Sequence, residues 1–425
     1  MCGINAIIPV VYTHGGCKQR KMTNKTIANF FIIISVAIVA IFLIRISIDG
    51  ITFWNSQVEY DKTGQIGDFI GGVVGTVISA AGFYFLYLTF NEQRKSFERE
   101  QLENRFFELI KLHRDNVSEL RFDATKLCED DDSLFIEKNI YEGKSVFKVI
   151  FNQFIICRNE LNGFMRKSSM FLPEYEKELS ENPFVKENKI DIVMLARIDV
   201  CFSIVFYGLS SEGRLILRNS FSKRYKQKFI DDILSYLSLK PANDNDILKK
   251  WMEVSNRNYR SKKNAIVADI YHWRKTKKIP ESNEFKGVIE NYHNRYTKYY
   301  GGHQFRLGHY YRHLFQSVRF INSQKNIDYK TKYDYIKILR AQLSTYEQAA
   351  LFLNSFSNMG SVWELKPELD NNSNILDRKN KELITKYNLI KNVPGDSLYG
   401  IKFKDFYPNI EYESENIPKK RFNYS

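Results

Sequence analysis

Five side chains suited to acid–base or phosphate chemistry fall within eleven residues: His303, Arg306, His309, Arg312 and His313. At 100° per residue Arg306, His309, His313 and Gln316 share one polar line with Arg312 beside it, while Leu307, Tyr311, Leu314, Val318 and Ile321 form an apolar line opposite. The pattern predicts a helix over Phe305–Ile321 that buries one stripe and presents cations and imidazoles on the other. Histidine exchanges protons near neutral pH, and arginine stabilises negative charge on a phosphate, so hydrolysis or binding of a phosphodiester is the chemistry this pattern could do.

Two other readings compete. His309 and His313 at i, i+4 could share a metal with His303 or a remote carboxylate. No Glu follows His309 in the H-E-x-x-H order and the adjacent arginines repel a cation, so neither metal nor cofactor is expected. The same side chains could instead satisfy carbonyls and acids within a helix bundle. As a phosphate site, Arg306 and His313 with six residues between them resemble the Arg-x(4–6)-His motif of HEPN-type ribonucleases, which are all-helical and act as dimers with two motifs facing each other. That resemblance implies RNA cleavage and a homodimer. Leu307 departs from it, because those arginines are commonly followed by Asn, Asp or His.

The elements that would position this helix come next. Over Lys330–Phe356, Arg340, Ser344 and Glu347 fall at i, i+4 and i+7 beside an apolar face of Ile336, Leu339, Leu343, Tyr346, Ala350 and Leu353. The expectation is one helix whose polar line faces the histidines, Glu347 orienting His309 or His313 and raising its pKa. The plainer alternative is an interhelical ion-pair network of Arg340 and Glu347. A second basic stretch, Arg257, Arg260, Lys262, Lys263, Arg274 and Lys275, is interleaved with Trp251, Tyr259, Tyr271 and Trp273. Cations reach phosphates and rings stack on bases, so it reads as an RNA contact surface or as a basic face whose aromatics belong to the core.

The composition suits such partners. The chain of 425 residues carries 63 Lys+Arg against 49 Asp+Glu, a net charge of +14, which favours nucleic acid or an anionic membrane face. At 44% hydrophobic and 15% aromatic it has ample apolar surface for a core, which excludes a disordered chain. The five cysteines are scattered without metal spacing, which argues against a disulfide framework and for a reduced, cytosolic setting. Met1-Cys2-Gly3-Ile4 matches the start of many glutamine amidotransferases, but no catalytic sheet follows it.

Ile27–Ile44 lacks charge over about 27 Å of helix, enough to span a bilayer core, and a second apolar run covers Phe69–Phe90. Gly67, Gly71, Gly75 and Ser79 recur every four residues, a small-residue face expected to meet the first span. Lys18, Arg20, Lys21 and Lys25 precede the first span, and Arg94, Lys95 and Arg99 follow the second, placing both termini in the cytoplasm of a two-pass inner-membrane protein. The expected organisation is a leader at 1–25, with Met22 an alternative start, a transmembrane hairpin at 26–90 anchored in the lipid bilayer, a cytosolic helical domain at 91–360 and a C-terminal extension at 361–425. Candidate helices Lys144–Phe164, Asp191–Tyr207, Lys226–Leu239, Asp246–Met252 and Arg378–Leu389, with scarce strand alternation, make the fold mainly α.

Three blocks resemble a known family: Gly302-His-Gln-Phe-Arg-Leu-Gly-His-Tyr-Tyr-Arg-His-Leu-Phe315, then Arg340-Ala-Gln-Leu-Ser-Thr-Tyr-Glu347 with Leu351-Phe-Leu-Asn354, then Leu383-Ile-Thr-Lys-Tyr-Asn-Leu-Ile-Lys-Asn392. With Phe106-Phe-Glu-Leu-Ile-Lys-Leu-His113 after two apolar spans, the chain is similar to the phage abortive infection proteins of the AbiC-like family. The resemblance implies a bacterial membrane-anchored defence protein that a phage-derived trigger activates to stop the host cell. Its action would be RNA cleavage or binding, or a non-enzymatic route through protein partners or membrane disturbance.

Overall fold

A computed structural model describes residues 24–48, 60–130, 133–242, 260–278 and 297–415, with single positions 248, 251, 286 and 289 between them. The chain is mainly helical and divides into two compact units, 1–104 and 105–425. The expected helix Asp246–Met252 lies largely outside the described residues.

The first unit contains α1 (Asn24–Ile48), α2 (Tyr60–Phe69), a π turn over Ile70–Val74 and the start of α3 (Gly75–Ser118). By length and composition one helix can cross a membrane, Gly67–Ser118, and α1 contributes the shorter apolar stretch Ile33–Arg45. Large apolar side chains stand exposed on both, among them Ile33, Ile41 and Ile44 on α1 and Ile78, Phe83 and Phe90 on α3. The run from Phe69 to Phe90 is not one uniform helix. At the Gly71-Gly72 pair the backbone widens into the π turn, with the Thr76 hydroxyl donating to the Gly72 carbonyl. Contact with α1 runs through Phe42 stacked on Phe69 at 3.8 Å, whereas a Cβ at Gly67 or Gly71 would meet nothing within 4 Å. Of the expected small-residue face, Gly67 and Gly71 make no close contact of this kind, and a ring pair does.

The second unit is built round α8 (Ile192–Tyr207), buried on nearly every side from Leu195 to Phe206. Such an all-round apolar helix needs neighbours on all faces. Asp191 starts it by accepting from the Val193 N–H, and Gly208 ends it in a left-handed conformation, φ +77°. Against it pack α4 (Ser145–Leu161) and α14 (Thr345–Ser355), and its C-terminal end meets α12 (Gln304–Asn322). The free thiols of Cys157 on α4 and Cys201 on α8 are buried in this core. The remaining described helices are α5 (Lys167–Met170), α6 (Pro173–Glu181), α7 (Pro183–Glu187), α9 (Ser211–Phe221), α10 (Gln227–Leu237), α11 (Arg260–Thr276), α13 (Tyr329–Gln342), α15 (Ile375–Lys381) and α16 (Leu383–Tyr387). One antiparallel hairpin, β1 (Arg121–Asp130) with β2 (Ser133–Glu142), pairs Arg121 opposite Glu142 and leads into α4.

Two predicted helices are divided. Lys330–Phe356 breaks at Leu343, because Ser344 caps a new helix: its hydroxyl accepts the Glu347 N–H while the Glu347 carboxylate accepts the Ser344 N–H at 2.7 Å. Arg378–Leu389 breaks at Glu382, and Asn388 ends α16 at φ +51°. Residues beyond 360 belong to the second unit, where Phe403 and Tyr407 pack on Phe352 of α14 and on Phe356, which follows it.

The register of α12 on α8 rests on a backbone contact. Leu209 N–H donates to the Tyr300 carbonyl and His303 N–H to the Phe206 carbonyl, each at 2.7 Å. Gly302, at φ +88°, comes so close that a Cβ would lie 2.7 Å from the Tyr207 oxygen. Gly302→Ala is expected to lower stability by about 2–3 kcal/mol. Gly301→Ala, whose Cβ meets nothing within 4 Å, should change it by less than about 0.5 kcal/mol. Thermal unfolding midpoints check this; equal effects of the two substitutions would refute the contact.

Candidate functional site on the histidine helix

The apolar line of α12 is buried as the periodicity predicts: Leu307, Tyr311, Leu314, Val318 and Ile321 are all in the core. The polar residues, however, divide between two surroundings.

His303 is no surface imidazole. It precedes the first turn of α12, is 1% exposed, and its Nε2 is hydrogen-bonded to the Gln153 side chain at 2.7 Å. Burial, reinforced by the Arg306 charge, lowers its pKa to about 3, and Phe122 meets its ring edge-on. Arg306 is also committed. Its Nε donates to the Arg121 carbonyl at 2.8 Å, and its guanidinium sits over the rings of Phe305 and Phe122. This pins the base of the hairpin to α12 through Nε. His313 is half-buried; neither ring nitrogen reaches solvent or has a hydrogen-bond partner among the described residues, and desolvation lowers its pKa. Arg306 and His313 therefore do not present a joint reactive surface.

Glu347 does meet a histidine, but not one of the three on α12. It is fully buried, with Oε1 3.8 Å from Nε2 of His113 on α3 and within 3.4 Å of the donating Tyr310 hydroxyl. Burial pushes the Glu347 carboxyl up and His113 down to about 4, with the charges of His313 and Lys144 adding to the latter effect. At neutral pH His113 is uncharged, so the contact is a polar one rather than an ion pair. The side of α12 that faces Glu347 carries Tyr310 and Tyr311, the latter donating to the Ala350 carbonyl. Arg340 points elsewhere, its Nη1 donating to the Tyr387 and Asn388 carbonyls at 3.1 Å and so closing the C-terminus of α16. The expected Arg340–Glu347 line is thus split by the helix break. His113 was missed as a site residue, although it ends the Phe106–His113 block.

His309 and Arg312 are the exposed pair. Both line a cleft of about 640 Å³. Gln304, Gly308, Arg312 and Phe315 recur along α12 at helical spacing and form one wall, with Gly308 leaving room where a side chain would intrude. The opposite wall is Met359, Val362 and Trp363, and the Phe315 and Trp363 rings meet edge-on at 5.0 Å. Aromatic walls with an arginine and a histidine suit a planar ring attached to an anion.

The basic stretch is less open than its composition suggests. Arg257 lies outside the described residues, as do the side chains of Arg260 and Lys262 on α11. Lys263 is buried and donates to the Glu160 carbonyl, and Trp251 packs against Tyr236 in the core. Arg274 lies over the Tyr271 ring, and Lys275 is exposed. Among the described residues no group of three His, Cys, Asp or Glu side chains could hold a metal ion.

The sequence model of one family, described as "Putative phage abortive infection protein", matches residues 302–372, in agreement with the AbiC-like resemblance. The matched segment runs from the Gly302 contact through α12, α13 and α14 to the Trp363 wall. All of the cleft lining except Phe206, Tyr207 and Gly301 falls inside it. The chain matches no curated protein and no solved structure.

His113 makes acid stability testable. Its folded pKa of about 4 lies below its unfolded value of 6.5, so its contribution is complete above pH 6.5 and is lost as pH falls towards 4, about 3 kcal/mol in all. His303 acts in the same direction. Glu347, whose pKa is raised, opposes them, its contribution falling as pH rises from its unfolded value. Denaturation midpoints should drop between about pH 7 and about pH 5. His113→Gln should flatten the drop, and an unchanged slope would contradict the assignment.

Proposed function

We propose that this protein is a membrane-anchored phage-defence protein that causes abortive infection by engaging RNA at the cleft beside His309 and Arg312. One observation carries the reading: the segment matching the abortive infection family is the segment that builds the cleft. An unpaired base can enter the cleft beside Phe315 while Arg312 meets its phosphate and His309 supplies a second polar contact. Binding is favoured over HEPN-type cleavage, because Arg306 is held by the Arg121 carbonyl and the His313 nitrogens are enclosed.

Anchoring draws its support from the long apolar helix Gly67–Ser118, the apolar stretch Ile33–Arg45 and the basic residues outside both. The orientation that follows puts the cleft in the cytoplasm of a bacterial cell, where phage and host transcripts accumulate. The alternative, an effector that acts on protein partners or the bilayer without RNA, is favoured by the exposed apolar residues of α1 and α3.

The test pairs infection with binding. Wild type and His309→Ala/Arg312→Ala are expressed during phage challenge, plaques and total RNA are followed, and the purified full chains are titrated with labelled single-stranded RNA. Loss of the charged contact should weaken RNA binding by about tenfold or more and abolish protection. Wild-type affinity in the double variant would sink the proposal, and intact RNA with protection persisting in His313→Ala would remove a nuclease role for that residue.

A further inference from the structure

A second pocket, of about 270 Å³, lies away from the cleft between α4 and α8 and is closed by the loop around Gly400. Two guanidiniums line it, Arg158 from α4 and Arg197 from α8, with Asn159 and Asn162 at its edge. Arg158 Nη2 donates to the Tyr399 carbonyl at 2.8 Å. Gly400, at φ +74°, has no side chain to crowd it, since a Cβ there would stand 3.4 Å from Nη2. Nε of Arg197 is shut off from solvent and has no hydrogen-bond partner among the described residues. No described carboxylate forms an ion pair with either arginine.

Two like charges sharing a half-buried pocket repel, and an enclosed N–H without an acceptor costs free energy. Burial together with the Arg197 charge lowers the pKa of Arg158, the electrostatic sign of that strain. The buried arginines among the described residues of this unit all have acceptors: Arg224 pairs with Asp199, Arg378 with Glu187 and Glu382, and Arg340 donates to two carbonyls. Arg197 Nε lacks such an acceptor, and the pocket is where one would enter.

We propose that Arg158 and Arg197 form a binding site for a single phosphate group, free or as the monoester of a small molecule. Planar guanidiniums offer paired N–H donors matched to phosphate oxygens, and two of them neutralise a dianion. The asparagine amides add neutral donors, and the volume admits the phosphate with only the first atoms of an ester. Because Arg158 also holds the Tyr399 carbonyl, occupation would tighten the Leu398–Ile401 turn against α4.

Calorimetry and thermal shift on the detergent-solubilised full chain test this with inorganic phosphate, with adenosine monophosphate and with adenosine as the uncharged control. Wild type should bind phosphate, with a rise in melting temperature, and adenosine should do neither. Tighter binding of the monophosphate than of phosphate identifies an ester as the ligand; equal binding identifies the free anion. Arg197→Met should weaken phosphate binding by about tenfold or more and, without phosphate, should melt no lower than wild type, since it relieves the repulsion. Absence of phosphate binding by wild type, or an equal phosphate-induced rise in Arg197→Met, would overturn the site. The wild-type measurement stands even if that variant fails to fold. Neither arginine lines the RNA cleft, so failure here leaves the RNA reading untouched.

Discussion

Glu347 is a carboxylate with no access to water, and the way its oxygens are satisfied determines how three helices meet. One oxygen accepts the Ser344 N–H and so begins α14 where the periodicity would have carried α13 onward. The other receives the Tyr310 hydroxyl from α12 and faces His113 from α3. A buried acid is costly unless its lone pairs are met, so these contacts have to form together or not at all. That requirement sets α12 with its tyrosines inward, and the rotation fixes the surroundings of every other residue on the helix.

With Tyr310 and Tyr311 turned to the core, Arg306 and His313 lie toward the enclosed side, and His309 and Arg312 fall on the open one. The glycine contact at Gly208 and Gly302 sets the same helix along its axis. Rotation and translation together leave a groove between α12 and the Met359–Trp363 segment. Chemistry-bearing residues crowded into eleven positions are thereby sorted into a structural set and an accessible set.

Much of this was legible in the sequence. The apolar line of α12 identified its buried face, and Asp191 and Gly208 punctuate α8 as their types suggest. The division at Leu343 was also written, as Ser344-x-x-Glu347, but the apolar spacing runs through the break and a capping box reads locally as ordinary helix. Which histidine Glu347 would meet could not be read from spacing, because His113 comes from a helix more than two hundred residues earlier in the chain. Nor does composition distinguish a cation that stacks on a ring and caps a carbonyl, as Arg306 and Lys263 do, from one that waits for a ligand. Neutral partners such as the Arg121 carbonyl leave no charge pattern to find.

The central claim is that one side of α12 is locked and the other, where we propose that RNA binds, is open. Diethyl pyrocarbonate, which acylates accessible neutral imidazole, tests it on the folded full chain when read by peptide mass spectrometry. The account predicts rapid modification of His309, suppressed by single-stranded RNA, and none at His113 or His303 until the protein unfolds. Modification of His113 or His303 in the native state, or a His309 indifferent to RNA, would contradict it.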